Sequence, residues 1–404
     1  MRIFFSVGEP SGDLHGSNLI RELKQRMPDA ECVGFGGPKM QDAGCELLHD
    51  LTQLAVMWVA DVIKNYFHFR RLLQQAEEHL KQERPDVVVL IDYPGFNWCI
   101  AKRAKKLGIP VVYYGTPQLW AWAPWRIRKM RRNVDHALCK LPFEETWFRD
   151  RGVNATYVGH PYFDELRNRQ IDQSLVEQLR QSSRSIVTLL PGSRDSEVRN
   201  NLPSLLQTAE IIHEEVPGTR FLVAAYKPEQ AELAEQMAPA SLDIDIHASK
   251  TPELIEAATC CLACSGSVSL ELLYHRKPAA ILYRVSRVGY LVQSIFRRVR
   301  YITLVNLLTA DDPSTTFPAS RYEPGNPRDR RVVMPEYLTC GDRTQELASH
   351  AVDWLTKEAS ERETVAQLTT LKQELCSGGA SVRAANYILG VLSAEDGRPA
   401  HQAA

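Results

Sequence analysis

The sequence predicts an α/β protein built as two doubly wound halves, and three stretches carry that expectation. Val87–Asn97 opens with five apolar, mostly β-branched residues, the pattern of a strand buried on both faces of a parallel sheet, and breaks at Asp92-Tyr93-Pro94-Gly95. The chain begins with a strand at Ile3–Val7, a glycine-bearing loop at Gly8–Asp13, and helical spacing of Leu14, Leu19, Ile20 and Leu23 up to Met27. Strand, tight Gly/Ser loop and helix form the opening unit of a doubly wound sheet. The pattern restarts at Ser185–Leu190, with the loop Pro191-Gly192-Ser193-Arg194-Asp195, a helix to Val216 and a strand at Thr219–Ala225. This is an architectural echo without a sequence repeat.

Bulk properties suit that reading. A length of 404 residues fits about two domains of ordinary size. The net charge of −1 lacks the basic excess of a nucleic-acid binder. No apolar run approaches the ~18–20 residues that span a bilayer, and Ile3-Phe4-Phe5 is too short for the core of a secretion signal. Among nine cysteines only Cys261 and Cys264 have metal or redox spacing, with no second pair and no nearby His. They read as structural thiols of a reducing cytoplasm, and no metal is expected.

In the first half, Cys32–Phe35 is a second strand ending at Gly36-Gly37-Pro38. The Gly8–Asp13 loop spells neither a dinucleotide fingerprint nor a P-loop. Leu54–Leu73 reads as a very apolar helix with Val56, Met57, Trp58, Tyr66, Phe67 and Phe69, followed by Arg70 and Arg71. It is a core helix, or one that lines a greasy pocket or rests on a membrane. A helix at Trp98–Leu107 and a strand at Pro110–Tyr114 follow the Val87 strand. Trp120, Trp122 and Trp125 then precede Arg126, Arg128, Lys129, Arg131 and Arg132. This is either a packed loop before a solvated helix or a site for an anionic, partly apolar ligand. Asp135–Leu141 is another strand, and Tyr157–Pro161 ends the half. Ligands of open α/β sheets bind outside the carboxyl ends of the strands. Asp92 therefore stands where a catalytic carboxylate belongs, although the residues alone also allow a turn-bonding or helix-capping role.

In the second half, Asp243 and Asp245 share one face of an edge strand, a better reading than a metal pair. Cys260–Cys264 runs into Ser265-Gly266-Ser267, a strand-to-helix junction whose small residues and helix dipole suit a phosphate. Glu271 lies within reach of ribose hydroxyls there. Pro278–Tyr283 is a strand leading to Arg284. Val285–Leu308 mixes apolar residues with Arg287, Arg297, Arg298 and Arg300, giving an amphipathic helix that attracts anionic lipid or a core helix with a basic edge. The expected organisation is a first domain over 1–165, a hinge over 166–184 and a second domain over 185–360 with an exposed insertion at 309–331. C-terminal helices over 361–393, interrupted at Ser377-Gly378-Gly379, and a disordered tail over 394–404 complete it.

Taken together, these motifs resemble the lipid-A-disaccharide synthases, glycosyltransferases of the GT-B fold, over most of the chain. The resemblance is carried by Gly8–Asp13, Gly36–Met40, Leu54–Met57, Ile91–Asn97, Trp120-Ala121-Trp122, Leu141–Glu144 and Val158–Pro161. Leu190–Arg194, Ser265–Ser267 with Glu271, Tyr283-Arg284 and Asn306 add to it. It implies two Rossmann-like domains facing across a cleft, with C-terminal helices that pack back on the first domain or exchange in a homodimer. It also implies inverting transfer of 2,3-diacylglucosamine from its UDP derivative to the 6-hydroxyl of 2,3-diacylglucosamine 1-phosphate (lipid X).

By the same resemblance Asp92 is the general base, with His15 as the rival for that role. Gly192, Ser193, Arg194, Ser265, Gly266, Ser267, Glu271, Tyr283, Arg284 and Asn306 would hold the UDP-sugar. Glu9, Ser11, Asp13 and His15 would face the acceptor. Val56, Met57, Trp58, Trp120, Trp122, Arg297 and Arg298 would meet acyl chains and the cytoplasmic face of the inner membrane, making the protein peripheral. No cofactor is implied. Departures at Trp58, Asp61 and Gly95 from the family's usual Gly, Glu and Asp lie on the acyl or acceptor side. They leave room for a different lipid-linked acceptor, and a non-catalytic nucleotide-sugar or lipid-binding relative is the reading of another class.

Overall fold

A computed structural model describes residues 1–54, 66–181, 185–310 and 321–396. Val56, Met57, Trp58 and Asp61 lie outside the described residues. The chain divides into two compact units, Met1–Asp164 with Gly378–Ala404, and Glu165–Ser377.

The first unit holds seven parallel strands: β1 (Arg2–Val7), β2 (Glu31–Gly36), β3 (Glu46–Asp50), β4 (Val87–Ile91), β5 (Val111–Tyr114), β6 (His136–Cys139) and β7 (Ala155–Tyr157). Their order is β3-β2-β1-β4-β5-β6-β7. All five residues of β4 are buried, because helices cover both faces of a central parallel strand. The order reverses between β1 and β4, and loops at such a switch point are where ligands of this fold class bind. Asp92 directly follows β4, and the Gly8–Asp13 loop directly follows β1.

The last helix, Ala380–Asp396, packs back on this unit. Ala384, Ala385, Ile388 and Leu392 join Leu19, Ile20 and Leu23 of the Pro10–Arg26 helix in one core. Its start is capped by Asp164, whose carboxylate accepts from the main-chain N–H groups of Ala380 and Ser381 at 3.2 and 2.8 Å. Gly378 and Gly379, with φ of 66° and 73°, make the break from the preceding Glu358–Leu375 helix. Glycine takes two consecutive left-handed positions without the strain that a Cβ would bring.

The second unit repeats the plan with β8 (Ile186–Leu190), β9 (Arg220–Ala225), β10 (Ile244–Ala248), β11 (Cys260–Cys264), β12 (Ala279–Arg284) and β13 (Glu336–Thr339). Their order is β10-β9-β8-β11-β12-β13, again reversing beside the first strand. β10 is an edge strand, and Asp245 on it is ion-paired with Arg220 of β9. Cys260, Cys261 and Cys264 are buried in β11, and burial pushes the Cys261 and Cys264 thiols up to about 12.

The expectation of one amphipathic helix over 285–308 needs correction. The helix is only Arg287–Phe296, and a second short helix spans Leu304–Thr309. Between them Arg297 and Arg300 turn inward rather than forming a basic surface. Arg300 pairs with Asp329 through two bonds of 2.8 Å, so part of the 309–331 insertion is anchored in the unit instead of exposed. The Arg287–Phe296 helix itself buries none of its residues. Val288, Leu291, Val292, Ile295 and Phe296 are all between 45% and 73% exposed.

Candidate active site

At the switch point of the first sheet the backbone takes an uncommon path. Asp92 and Tyr93 both have positive φ, 47° and 43°, a conformation that costs a non-glycine residue about 1–3 kcal/mol. Buried side chains hold it. Asn97, in the first turns of the Pro94–Lys106 helix, donates from Nδ2 to the main-chain oxygens of Ser6, Ile91 and Asp92 at 3.1, 3.2 and 2.8 Å. Its Oδ1 accepts from Ser6 Oγ at 2.6 Å. The Tyr113 hydroxyl of β5 donates to the same Asp92 oxygen at 2.6 Å. The left-handed turn thus lifts the Asp92 side chain off the end of β4 while its main chain is fixed to β1 and β5.

The Asp92 carboxylate accepts from Lys140 Nζ at Oδ1, 3.0 Å away. Oδ2 has no hydrogen-bond partner among the described residues, and Gly12 lies beside it; a Cβ there would stand 3.8 Å away. Two imidazoles complete the surroundings. His15 and His160 meet edge to face at 6.3 Å. Burial pushes His15 down to about 4, against the opposing pull of Asp92, and drives His160 well below its ordinary range. Both rings are neutral near pH 7. A neutral imidazole with so low a pKa is no stronger a base than a carboxylate, which weakens His15 as a rival to Asp92.

Other first-unit residues sort themselves by burial. Glu9 is partly exposed and Ser11 exposed at the start of the Pro10–Arg26 helix. Asp13, expected to face an acceptor, is instead 3% exposed and structural. Its carboxylate accepts from the N–H groups of Gly37, Lys39 and Met40 at 3.0–3.1 Å, because the short Pro38–Asp42 helix needs its first donors satisfied. Trp120, expected at an acyl or membrane surface, is also buried. Its indole donates to Glu144 Oε1 at 2.9 Å and packs edge-on against Phe143. Trp122 and Trp125 do remain exposed, at 39% and 57%, beside the Arg126–Arg132 cations.

In the second unit, Gly192, Ser193 and Arg194 follow β8, and Ser265, Gly266 and Ser267 follow β11. These are again the two strands at the switch point. Ser193, Arg194, Gly266 and Ser267 are exposed there. Glu197 accepts from the N–H groups of Ser193 and Arg194 at 3.2 Å, and from the Arg194 guanidinium at 3.1 Å. Asn201 ties three strand ends together. It donates to the Pro191 carbonyl and Cys264 Sγ at 3.2 Å and accepts from the Arg284 N–H at 3.1 Å. It plays in this sheet the part Asn97 plays in the first. Tyr283 is half-buried, and the Arg284 guanidinium donates to Ser204 Oγ.

Glu271 is 4% exposed and accepts from Arg169 Nη1 at 2.6 Å. Asn306 does not line a donor surface. It is fully buried, donating to the Met334 carbonyl and Glu336 Oε2 at 2.7 and 2.9 Å. Glu336 also accepts from the N–H groups of Ile302 and Thr303, so this cluster satisfies the start of the Leu304–Thr309 helix. Arg297, expected at a membrane surface, is 2% exposed and donates to the Arg300 carbonyl. Burial lowers its pKa, while Glu336 opposes the shift. Arg298 is partly exposed.

Lys140, Tyr113, Asn201 and Arg169 were not singled out by sequence reasoning. For Lys140 a signal existed: a lone cation at the carboxyl end of a buried strand.

A family model described as lipid-A-disaccharide synthetase matches residues 3–326. The chain belongs to the lipid-A-disaccharide synthase family. A synthase of this family from Myxococcus xanthus is 33% identical over 394 residues, covering 97% of each chain. Lipid-A-disaccharide synthase 1 of Legionella pneumophila is 31% identical over 94% of each. Family membership makes the chain a UDP-sugar-dependent glycosyltransferase. Among solved structures, the UDP-GlcNAc 2-epimerase of Neisseria meningitidis superposes with a TM-score of 0.61 at 12% identity, over 96% of this chain and 100% of that one. Acinetobacter baumannii MurG gives 0.52 at 11%, over 96% and 99%. At such identities the likeness is one of fold, and it assigns this synthase-family chain to the GT-B architecture.

Proposed function

We propose that this chain joins two acylated glucosamines. It transfers 2,3-diacylglucosamine from its UDP derivative to the 6-hydroxyl of 2,3-diacylglucosamine 1-phosphate. The observation that carries the reading is Asp92, a carboxylate raised on a left-handed turn at the switch point with Oδ2 unengaged among the described residues. The acceptor hydroxyl oxygen attacks the anomeric carbon on the face opposite the diphosphate. The bond to the diphosphate breaks with its electrons, UDP leaves, and the hydroxyl proton passes to Asp92. A positioned base contributes ~10²–10⁴-fold to such a step. Charge on the departing UDP calls for cations and N–H donors. Arg194, exposed beside Ser193, and the Ser265–Ser267 helix start suit that need. Glu271, held by Arg169, is the group proposed for the ribose hydroxyls.

The proposed setting is the cytoplasmic face of the inner membrane. No helix among the described residues is long and apolar enough to cross a membrane. The apolar face of the Arg287–Phe296 helix, with Arg287 exposed at its start, supports a peripheral attachment to anionic lipid. Incubation of purified protein with both sugars tests the reading. UDP and a β-1,6-linked tetraacyl disaccharide 1-phosphate are the expected products by mass spectrometry. No product above an Asp92→Ala control would overturn it.

A further inference from the structure

We propose that Lys140 is the positioning residue of Asp92: its ammonium fixes Oδ1 and leaves Oδ2 as the oxygen that takes the proton. The proposal rests on the reading of Asp92 as general base and adds to it a named partner and a named oxygen.

Lys140 directly follows β6, two strands away from β4 across β5. Its side chain is reached from both ends. Its own main-chain N–H donates to Glu144 Oε2 at 3.0 Å, fixing the start of the side chain. Its methylenes then run past Gly115, where a Cβ would sit 3.3 Å from Cδ and Cε. Nζ ends 3.0 Å from Asp92 Oδ1, and the two side chains are only 15% and 19% exposed. A pair so shielded is screened by water far less than a surface ion pair.

The surroundings give Lys140 this role without a competitor. Burial works to lower the ammonium's pKa, but the Asp92 charge and hydrogen bond, with Glu144 and Glu9 farther off, raise it. The cation therefore stays charged. His15, from the Pro10–Arg26 helix, and His160, after β7, are neutral at pH 7, while Lys39 and Asp164 act on the His15 side of the cluster. The Tyr113 hydroxyl bonds the main-chain oxygen of Asp92, not its carboxylate. Among the described residues, Lys140 is the only cation in hydrogen-bond contact with the carboxylate. With the main chain gripped by Asn97 and Tyr113 and Oδ1 by Lys140, Oδ2 is the carboxylate oxygen left without a hydrogen bond among the described residues. A base held this way reaches its reactive geometry without reordering.

The test is the split of kcat and KM for Lys140→Met, Lys140→Gln, Lys140→Arg and Asp92→Asn in full-length protein, with UDP release as the readout. A base held less firmly loses its reactive geometry, so Lys140→Met should lower kcat on the order of 10-fold with KM for both sugars nearly unchanged. Lys140→Arg should restore most of kcat. Lys140→Gln keeps a donor without the charge and gives the same reading if Lys140→Met fails to fold. Asp92→Asn inactive, with wild-type kcat in both uncharged variants, would overturn the Lys140 proposal and leave the base assignment standing. An active Asp92→Asn would overturn the base assignment itself.

Discussion

Asn97 Nδ2 donates to the main-chain oxygen of Asp92 at 2.8 Å, and to Ser6 and Ile91 from the same nitrogen. One buried carboxamide thus joins the carboxyl ends of two neighbouring parallel strands and secures a turn that neither strand would adopt alone. Asn97→Ala should leave the Ser6 hydroxyl without its acceptor and take a donor from the Ser6, Ile91 and Asp92 carbonyls, the last of which keeps Tyr113, at a cost of about 1–3 kcal/mol of stability. Chemical denaturation measures it. Turnover should fall more than the loss of folded protein accounts for, because the Asp92 turn loosens.

Arg169 and Glu271 form an ion pair in the second unit, with the carboxylate nearly inaccessible and the guanidinium 25% exposed. Removing the arginine takes a charged partner from a nearly inaccessible carboxylate. Arg169→Met should cost roughly 3 kcal/mol, the low end for a broken buried pair because the arginine is partly solvated. It should also weaken UDP binding in calorimetry. Arg169→Lys should recover part of both.

His15 supplies a pH signature. Its folded-state pKa of about 4 lies below the 6.5 of the unfolded chain, so the unfolded chain binds the extra proton between those values. Stability therefore rises with pH through that window and falls as pH drops from about 6.5 to about 4, by about 3 kcal/mol for a displacement of this size. His160 acts in the same direction. In urea titrations at pH 7 and pH 5, His15→Asn should show a smaller loss than wild type.

The exposed apolar helix gives a prediction of a different kind. Leu291, Ile295 and Phe296 are 45–60% exposed, so replacing all three with Ser should change folding stability little. Co-sedimentation with anionic vesicles should drop markedly. Unchanged sedimentation would remove this helix from the membrane reading.

Much of this architecture was legible in the residues, for a physical reason. Buried parallel strands such as Val87–Ile91 write an unbroken apolar run, and each is punctuated by glycine, proline or serine where the chain turns into a helix. That places Asp92, Arg194 and Ser265–Ser267 at strand ends. What the pattern could not convey is which polar groups satisfy the backbone. Asp13 and Asn306 look like site residues in sequence, yet both are consumed by helix starts. Trp120 and Arg297 look like surface groups, yet each is buried on a partner distant in sequence or on a local carbonyl. Lys140 approaches Asp92 across 48 positions, and no local rule reports that.

The most direct measurement is kcat/KM of Asp92→Asn beside His15→Ala, with UDP-2,3-diacylglucosamine and the acyl sugar phosphate as substrates. A base contributing ~10²–10⁴-fold predicts a loss of at least ~10²-fold for Asp92→Asn, with His15→Ala retaining most activity. Asp92→Asn within a few-fold of wild type, or His15→Ala alone abolishing turnover, would contradict the account.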